Sequence, residues 1–256
     1  MTASTLSLRS LRGQVAVITG GSRGLGAAIA QLLGEEGMTP VIADIALERA
    51  QDRVAVLAEA GITAAAMHLD VGDDAQVRST LAAVRERFGR LDVVINNAAI
   101  DITVPIGELD VDDWERVLRT NLTGPFLVAR HAAAIMGPRS NGPGGGQRGG
   151  HIVNIASTAS KRAWPNAAAY HATKWGLLGL SHALHAELRP QGIKVSAVVA
   201  GGMRTPFLLD RFPDIDPGVL QDPLNVANAV RFVLMQPEET VVPEVMVLPM
   251  RETSWP

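Results

Sequence analysis

The sequence predicts an α/β fold: a single doubly wound domain on a parallel sheet of about seven strands, with helices on both faces. Three observations predict it. Short apolar runs alternate with longer segments of helical period along the whole chain. Several of those runs are continuously apolar, as strands covered on both faces must be. The first of them leads through a glycine-rich turn straight into a helical segment.

The elements follow in order. Residues 15–19 (VAVIT) form the first strand and residues 25–36 the first helix. Strand 39–43 (TPVIA) leads to helix 47–59, strand 64–69 (AAAMHL) to helix 74–88, and strand 91–95 (LDVVI) to a long helix over 111–135. Strand 151–155 (HIVNI) precedes helix 167–189, strand 194–199 (KVSAVV) precedes helix 225–234, and residues 245–248 (VMVL) close the sheet. No composition shift or repeat marks a second unit, so residues 1–256 are expected to be one domain. Residues 1–12 form an N-terminal extension. Residues 137–150 (GPRSNGPGGGQRGG) form a surface connection, because they lack the Lys-Ser/Thr of a P-loop. Residues 204–224 carry four prolines after a strand and form an irregular stretch expected to cover a site.

Composition narrows the function. A formal net charge of −3 over 256 residues gives no sign of a nucleic-acid or anionic-membrane surface. The absence of cysteine excludes disulfides, thiolate metal sites and cysteine nucleophiles, and no metal is expected. Without a signal-like leader or an uninterrupted apolar span, a cytoplasmic protein is expected.

The turn after the first strand reads Thr19-Gly20-Gly21-Ser22-Arg23-Gly24-Leu25-Gly26. Its spacing is G-x-x-x-G-x-G rather than G-x-G-x-x-G, but its glycines equally let a pyrophosphate approach main-chain N–H groups at a helix N-terminus. Gly20, Ser22, Arg23, Gly24, Leu25 and Gly26 are therefore candidate dinucleotide contacts. Asp44 ends the second strand, where a carboxylate accepts from ribose hydroxyls and repels a 2′-phosphate; an ordinary helix cap is the plainer alternative. Arg23 argues for a 2′-phosphate, yet Asp44 stands at the discriminating group, so NAD is the expected cofactor. Asp70, with Val71 beyond it, either reaches the adenine amino group or caps the next helix. Asn97 and Ala98 follow the fourth strand, where small residues let the backbone press on a ligand.

Tyr170 is the chain's one tyrosine, and Lys174 stands four residues later on one face of a helical segment. A phenol titrates near about 10, and a neighbouring ammonium is expected to lower that value enough for acid–base work. Ser157, just past the fifth strand, is placed to polarise a substrate oxygen, with Ser160 as competitor. Asn121 sits inside the predicted long helix, where Asn is intrinsically unfavourable. It marks either a kink with a relay water or a polar packing contact.

The ordered set Thr19–Gly26, Asn96–Ala99, Asn121, Ser157, Tyr170 and Lys174 resembles the classical short-chain dehydrogenase/reductase family over almost the whole chain. The resemblance implies a Rossmann-type domain. It makes Tyr170 the acid/base, Lys174 its helper and a contact to the nicotinamide ribose, Ser157 the carbonyl-polarising group and Asn121 the anchor of a relay water. It also implies that Thr205 contacts the cofactor, and that the chain forms a homotetramer, or a homodimer, through its two long helices. Ala99 stands where the family commonly has glycine. Ala200-Gly201-Gly202 replaces the usual Pro-Gly and is expected to hold the backbone less rigidly, and the C-terminus lacks the usual glycine-ended strand. Trp255 is a candidate anchor for that tail on a neighbouring subunit.

By position, Ile102, Thr158, Trp164, Met203 and Phe207, joined by Leu208 and Phe212, are expected to form an apolar pocket for a hydrophobic or aromatic secondary alcohol or ketone. Arg204 and Arg211 are candidates to bind a substrate carboxylate, but a solvated surface is the expected place of each. Two alternatives stand beside the NAD(H)-dependent alcohol/ketone oxidoreductase. One is a 3-oxoacyl-thioester reductase using NADPH; the other is a non-catalytic dinucleotide-sensing protein, which has no need to keep Ser157, Tyr170 and Lys174 together.

Overall fold

In the computed structural model, which describes residues 8–137 and 149–251, the seven apolar runs are parallel strands of one sheet. They are β1 (Val15–Thr19), β2 (Thr39–Asp44), β3 (Ala65–His68), β4 (Val93–Asn96), β5 (Gly150–Ser157), β6 (Ile193–Ala200) and β7 (Glu244–Val247). The order across the sheet is β3-β2-β1-β4-β5-β6-β7. The chain starts at the centre, winds to one edge, returns beside β1 and winds to the other edge. That reversal opens a crevice at the carboxyl ends of β1 and β4, where ligands bind in sheets of this kind.

Helices α1 (Gly24–Glu35), α2 (Leu47–Glu59), α3 (Asp74–Phe88), α4 (Val111–Leu118), α5 (Gly124–Met136), α6 (Ala168–Leu188), α7 (Pro206–Leu209) and α8 (Pro223–Leu234) cover both faces. Side chains of a strand alternate between faces, and β1 shows the consequence. Ala16 and Ile18 enter the core shared with Leu25, Ile29 and Leu33 of α1 and Val230 of α8. Val15 and Val17 enter the opposite core with Leu81 of α3 and Val128 of α5. Every residue of β1 is therefore buried, which is why this strand reads as a continuous apolar run.

The helix expected over 111–135 is divided. A π-helical turn, Arg119–Thr123, separates α4 from α5, and Asn121 lies buried at its centre. A π turn widens the helix by one residue and frees backbone and side-chain groups from the regular ladder. The segment 204–224, expected to be irregular, contains the short α7 and a 3₁₀ turn at Pro217–Val219. Its ends are pinned together: Gln221 N–H donates to Gly202 C=O at 3.0 Å and Arg204 N–H donates to Gln221 C=O at 2.9 Å. Helix α8 starts at Pro223, two residues before the expected 225, because Asp222 accepts from Leu224 N–H and proline suits the first helical position. Most of the glycine-rich segment 137–150, part of the extension 1–12, and Trp255 lie outside the described residues. No helix among the described residues is long and apolar enough to cross a membrane.

Candidate active site

A cavity of about 670 Å³ lies in the crevice beyond β1, β4 and β5. Its wall at one end is the glycine turn. A Cβ on Gly20 would stand 2.9 Å from Ala98 Cα, and one on Gly26 would stand 2.7 Å from Asn97 Nδ2, so neither position admits a side chain. Thr19 and Asn97 hold this turn against β4. Asn97 and Ala98 N–H both donate to Thr19 Oγ1, while Asn97 Nδ2 donates to the carbonyls of Thr19 and Gly20. The clamping role of Thr19 and Asn97 was not read from the sequence, which placed Asn97 only as a ligand contact. Gly20, Ser22, Arg23, Gly24 and Leu25 line the cavity, but Gly26 does not. Gly26 packs closely against Gly20 C=O and Asn97.

Asp44 is buried at the end of β2, and the residue that caps α2 is Ala46, without a side-chain cap bond. Asp44 Oδ2 accepts from Ser22 Oγ at 2.6 Å and Ser22 N–H at 3.3 Å, and its Oδ1 accepts from Ala46 N–H ahead of α2. The carboxylate thus braces the glycine turn while facing the cavity. Asp70 and Val71 also line it. Asp70 Oδ1 accepts from Gly72 N–H, and the cap of α3 is Asp73 instead, which accepts from Gln76 N–H. The capping alternative for Asp70 is therefore excluded. Thr205 lies against the glycine turn, its Cβ 3.3 Å from where a Gly24 side chain would begin, and Ala98 and Thr205 both line the cavity. These residues suit a dinucleotide: bare backbone beside a helix N-terminus for the pyrophosphate, carboxylates for the hydroxyl and amino edges.

The chemical groups stand at the other end of the cavity. Helix α6 brings Tyr170 and Lys174 onto one face, with Lys174 Nζ 5.5 Å from the centre of the phenol ring. Ser157 and Tyr170 both line the cavity, and the serine hydroxyl acts to lower the phenol's titration. Ser160 is buried away from the cavity and donates to Ser157 C=O, so Ser157 and not its competitor faces Tyr170. Lys174 Nζ donates to Ile155 C=O at 2.9 Å. Asn121 does not line the cavity. Its Nδ2 donates to Ile100 C=O at 2.7 Å and its Oδ1 accepts from Ile100 N–H at 2.8 Å, so its side chain packs by polar contacts at the kink.

The electrostatics differ from expectation. Burial pushes the Tyr170 phenol up to about 12, and the Ser157 hydrogen bond opposes this only in part. Burial likewise pulls Lys174 down to about 8 against the attraction of Asp101. The groups that lower the phenol are Ser157 and Arg211 rather than Lys174, and they are outweighed because Tyr170 sits in an apolar setting with Ala159, Ala167 and Phe207. In this environment the proton rests on Tyr170, which suits it first to the role of acid.

The substrate end is largely apolar. Thr158, Trp164, Met203, Phe207, Leu208 and Phe212 line the cavity there, with Ile100, Ile215 and Leu220 in addition. Ile102 does not reach the cavity; Ile100, two residues closer to β4, occupies that wall. Arg204 is turned outward to Leu220 C=O and Asp222. Arg211 is not on a solvated surface: it pairs with buried Asp101 and stacks over Phe207. At the end of β6, Gly201 N–H donates to Val247 C=O and Gly202 C=O accepts from Gln221, so hydrogen bonds hold the backbone that the missing proline was expected to leave loose.

The short chain dehydrogenase family model matches residues 14–216, which span the glycine turn, the serine, the Tyr-x-x-x-Lys pair and more than half of segment 204–224. The chain belongs to the short-chain dehydrogenase family. Among its short-chain dehydrogenase relatives, an uncharacterised oxidoreductase of Thermotoga maritima is 37% identical, covering 87% of this chain and 89% of the relative. A 3-hydroxyacyl-CoA dehydrogenase type-2 of Rattus norvegicus is 34% identical, covering 90% and 92%. A metagenomic short-chain oxidoreductase solved in complex with NADP superposes with a TM-score of 0.78 at 31% identity, covering 94% of this chain and 99% of that one. As a short-chain dehydrogenase the chain is an oxidoreductase that binds a nicotinamide dinucleotide.

Proposed function

We propose that the protein interconverts a secondary alcohol and a ketone with NAD(H), taking hydrophobic or aromatic substrates, with Tyr170 as acid/base. One observation carries the reading: Ser157, Tyr170 and Lys174 line the same largely apolar cavity as the glycine turn and Asp44. When bound, the dinucleotide supplies or takes up a hydride at its nicotinamide. The glycine turn and Thr205 would hold it, and Asp44 would accept from its ribose and disfavour a 2′-phosphate. In reduction Tyr170 gives its proton to the ketone oxygen, and Ser157 donates a hydrogen bond to the same oxygen as charge develops there. In oxidation Tyr170 must start as the phenolate, which the Lys174 charge favours and burial opposes.

Arg23 and Arg49 also line the cavity near Asp44 and favour the competing NADPH reading. Assays of a ketone and alcohol panel with each cofactor, followed by the absorbance of the reduced nicotinamide, decide between them. Oxidation and reduction with NAD(H) are expected; turnover with NADPH alone, or of 3-oxoacyl thioesters alone, overturns this reading. We further assign the exposed Phe126 of α5 and Trp175 of α6 to contacts between subunits of a homotetramer. Light scattering is expected to give four times the 27.1 kDa chain mass.

A further inference from the structure

His171, the residue after Tyr170 on α6, is buried and does not line the cavity. Its imidazole holds the segment between β5 and α6 at two places. Trp164 N–H donates to Nε2 at 3.1 Å, and Nδ1 lies 3.0 Å from Ala159 C=O. The Trp164 ring also packs against the imidazole in a T-shaped contact, with centroids 4.3 Å apart and planes at 72°.

These bonds fix the form of the ring. A main-chain N–H can only donate, so Nε2 accepts, and the imidazole carries its proton on Nδ1. That proton meets the Ala159 carbonyl, which can only accept. One tautomer of one side chain therefore serves both partners.

The two ends of this clamp lie beside different parts of the site. Ala159 N–H donates to Ser157 Oγ at 3.1 Å, which leaves the serine's own proton for a substrate oxygen. Trp164 lines the substrate end of the cavity. Pro165 follows it and has no N–H to give, and Asn166 is left-handed at φ 65°, so no helix or strand holds this stretch. The histidine does.

We propose that His171 is a positioning residue for substrate choice: by holding Trp164 in the cavity wall, it makes the site favour flat, ring-bearing ketones over small aliphatic ones. An indole fixed both at its backbone and at its ring loses little further freedom when a substrate ring packs on it, whereas an untethered one must be ordered at each binding event. A small ketone has little surface to lay against the indole, so it gains little from the clamp.

This inference rests on the alcohol/ketone reading above, and the experiment separates the two. Acetophenone and 2-butanone are assayed with NADH in the wild type, His171→Asn, Trp164→Ala and the double variant. Asparagine keeps a donor near the place of Nδ1, and its shorter side chain leaves no acceptor within reach of Trp164 N–H. The ratio of kcat/KM values, aryl over small, is expected to fall about 3- to 10-fold in His171→Asn, the worth of an aromatic contact, with the change carried by KM. In Trp164→Ala it should fall at least as far, and adding His171→Asn to that variant should lower it no further.

Equal losses for both ketones in His171→Asn would show a merely structural role. An unchanged ratio in either single variant would show that the clamp does not set substrate choice, and a further fall in the double variant would show that His171 acts apart from Trp164. Each of these overturns the proposal while leaving the alcohol/ketone reading standing. A wild type that turns over no ketone overturns that reading and the proposal with it. Should His171→Asn fail to fold, the wild type still decides: nitrogen-15 spectra of histidine-labelled protein are expected to show the His171 proton on Nδ1, and a proton on Nε2 overturns the clamp.

Discussion

Asn121 and Ile100 exchange two hydrogen bonds: Ile100 N–H donates to Asn121 Oδ1 at 2.8 Å, and Asn121 Nδ2 donates to Ile100 C=O at 2.7 Å. The same Nδ2 donates to Thr173 Oγ1 on α6, one residue from Lys174. The π turn therefore ties the loop after β4, which carries Ala98 to Asp101, to the helix that carries the acid/base pair. Replacing Asn121 with Ala leaves the Ile100 N–H and C=O without these partners. We expect a loss of about 2 kcal/mol in unfolding free energy, from denaturant titration, and a raised KM for the ketone. An unchanged stability would show that water replaces the side chain without cost.

Asp44 is expected to set cofactor preference. The wild type should favour NADH over NADPH by at least about tenfold in kcat/KM. Asp44→Ala should weaken NADH by about 10- to 100-fold, since hydrogen bonds to the carboxylate are lost, and narrow the gap to NADPH. Initial-rate assays with both cofactors check this; a wild-type preference for NADPH would sink the assignment.

The pH dependence follows from Lys174, held down at about 8 by burial. Its ammonium is present below that pH and lost as pH rises through it, so the charge that favours the phenolate disappears on the alkaline side. The kcat/KM for alcohol oxidation, which needs the phenolate beside the ammonium, should rise with pH up to about 8 and level off above it, where each phenolate formed costs the ammonium its proton. In Lys174→Arg the charge persists, and although activity drops, the rise should continue to higher pH. An identical level-off in both proteins would assign it to another group.

Stability at low pH follows from His151, buried in β5 beneath Ser196 and pushed down to about 3 by loss of solvent. The unfolded chain binds its proton near about 6.5. Unfolded protein therefore holds more protons between these values, so stability is full above about 6.5 and declines as pH falls towards 3. His151→Gln should lower the midpoint of acid unfolding, followed by circular dichroism. A midpoint unmoved by this change would place the acid sensitivity elsewhere.

Much of this was legible in local sequence. Apolar runs located the seven strands, and several, such as β1, are continuous because burial on both faces leaves no room for polar alternation, with Val15 and Ile18 serving opposite cores. Tyr170 and Lys174 were legible because four residues of helix put them on one face. The break at Arg119–Thr123 was foreshadowed only by Asn121, an unfavourable residue within a good helical pattern. What stayed hidden was non-local. The Asp101–Arg211 pair joins positions 110 residues apart, and no local period marks it. The raised phenol of Tyr170 was also hidden, because the expectation weighed the charge of Lys174 without the apolar enclosure by Ala159, Ala167 and Phe207.

The central claim is that Tyr170 carries the proton in hydride transfer. It is tested most directly by single-turnover reduction of the best ketone in the Tyr170→Phe variant, with NADH binding followed separately by fluorescence. The account predicts retained NADH affinity and a rate of ketone reduction lower by about 10²- to 10⁴-fold, the usual contribution of a positioned acid. Wild-type turnover by the phenylalanine variant would contradict it.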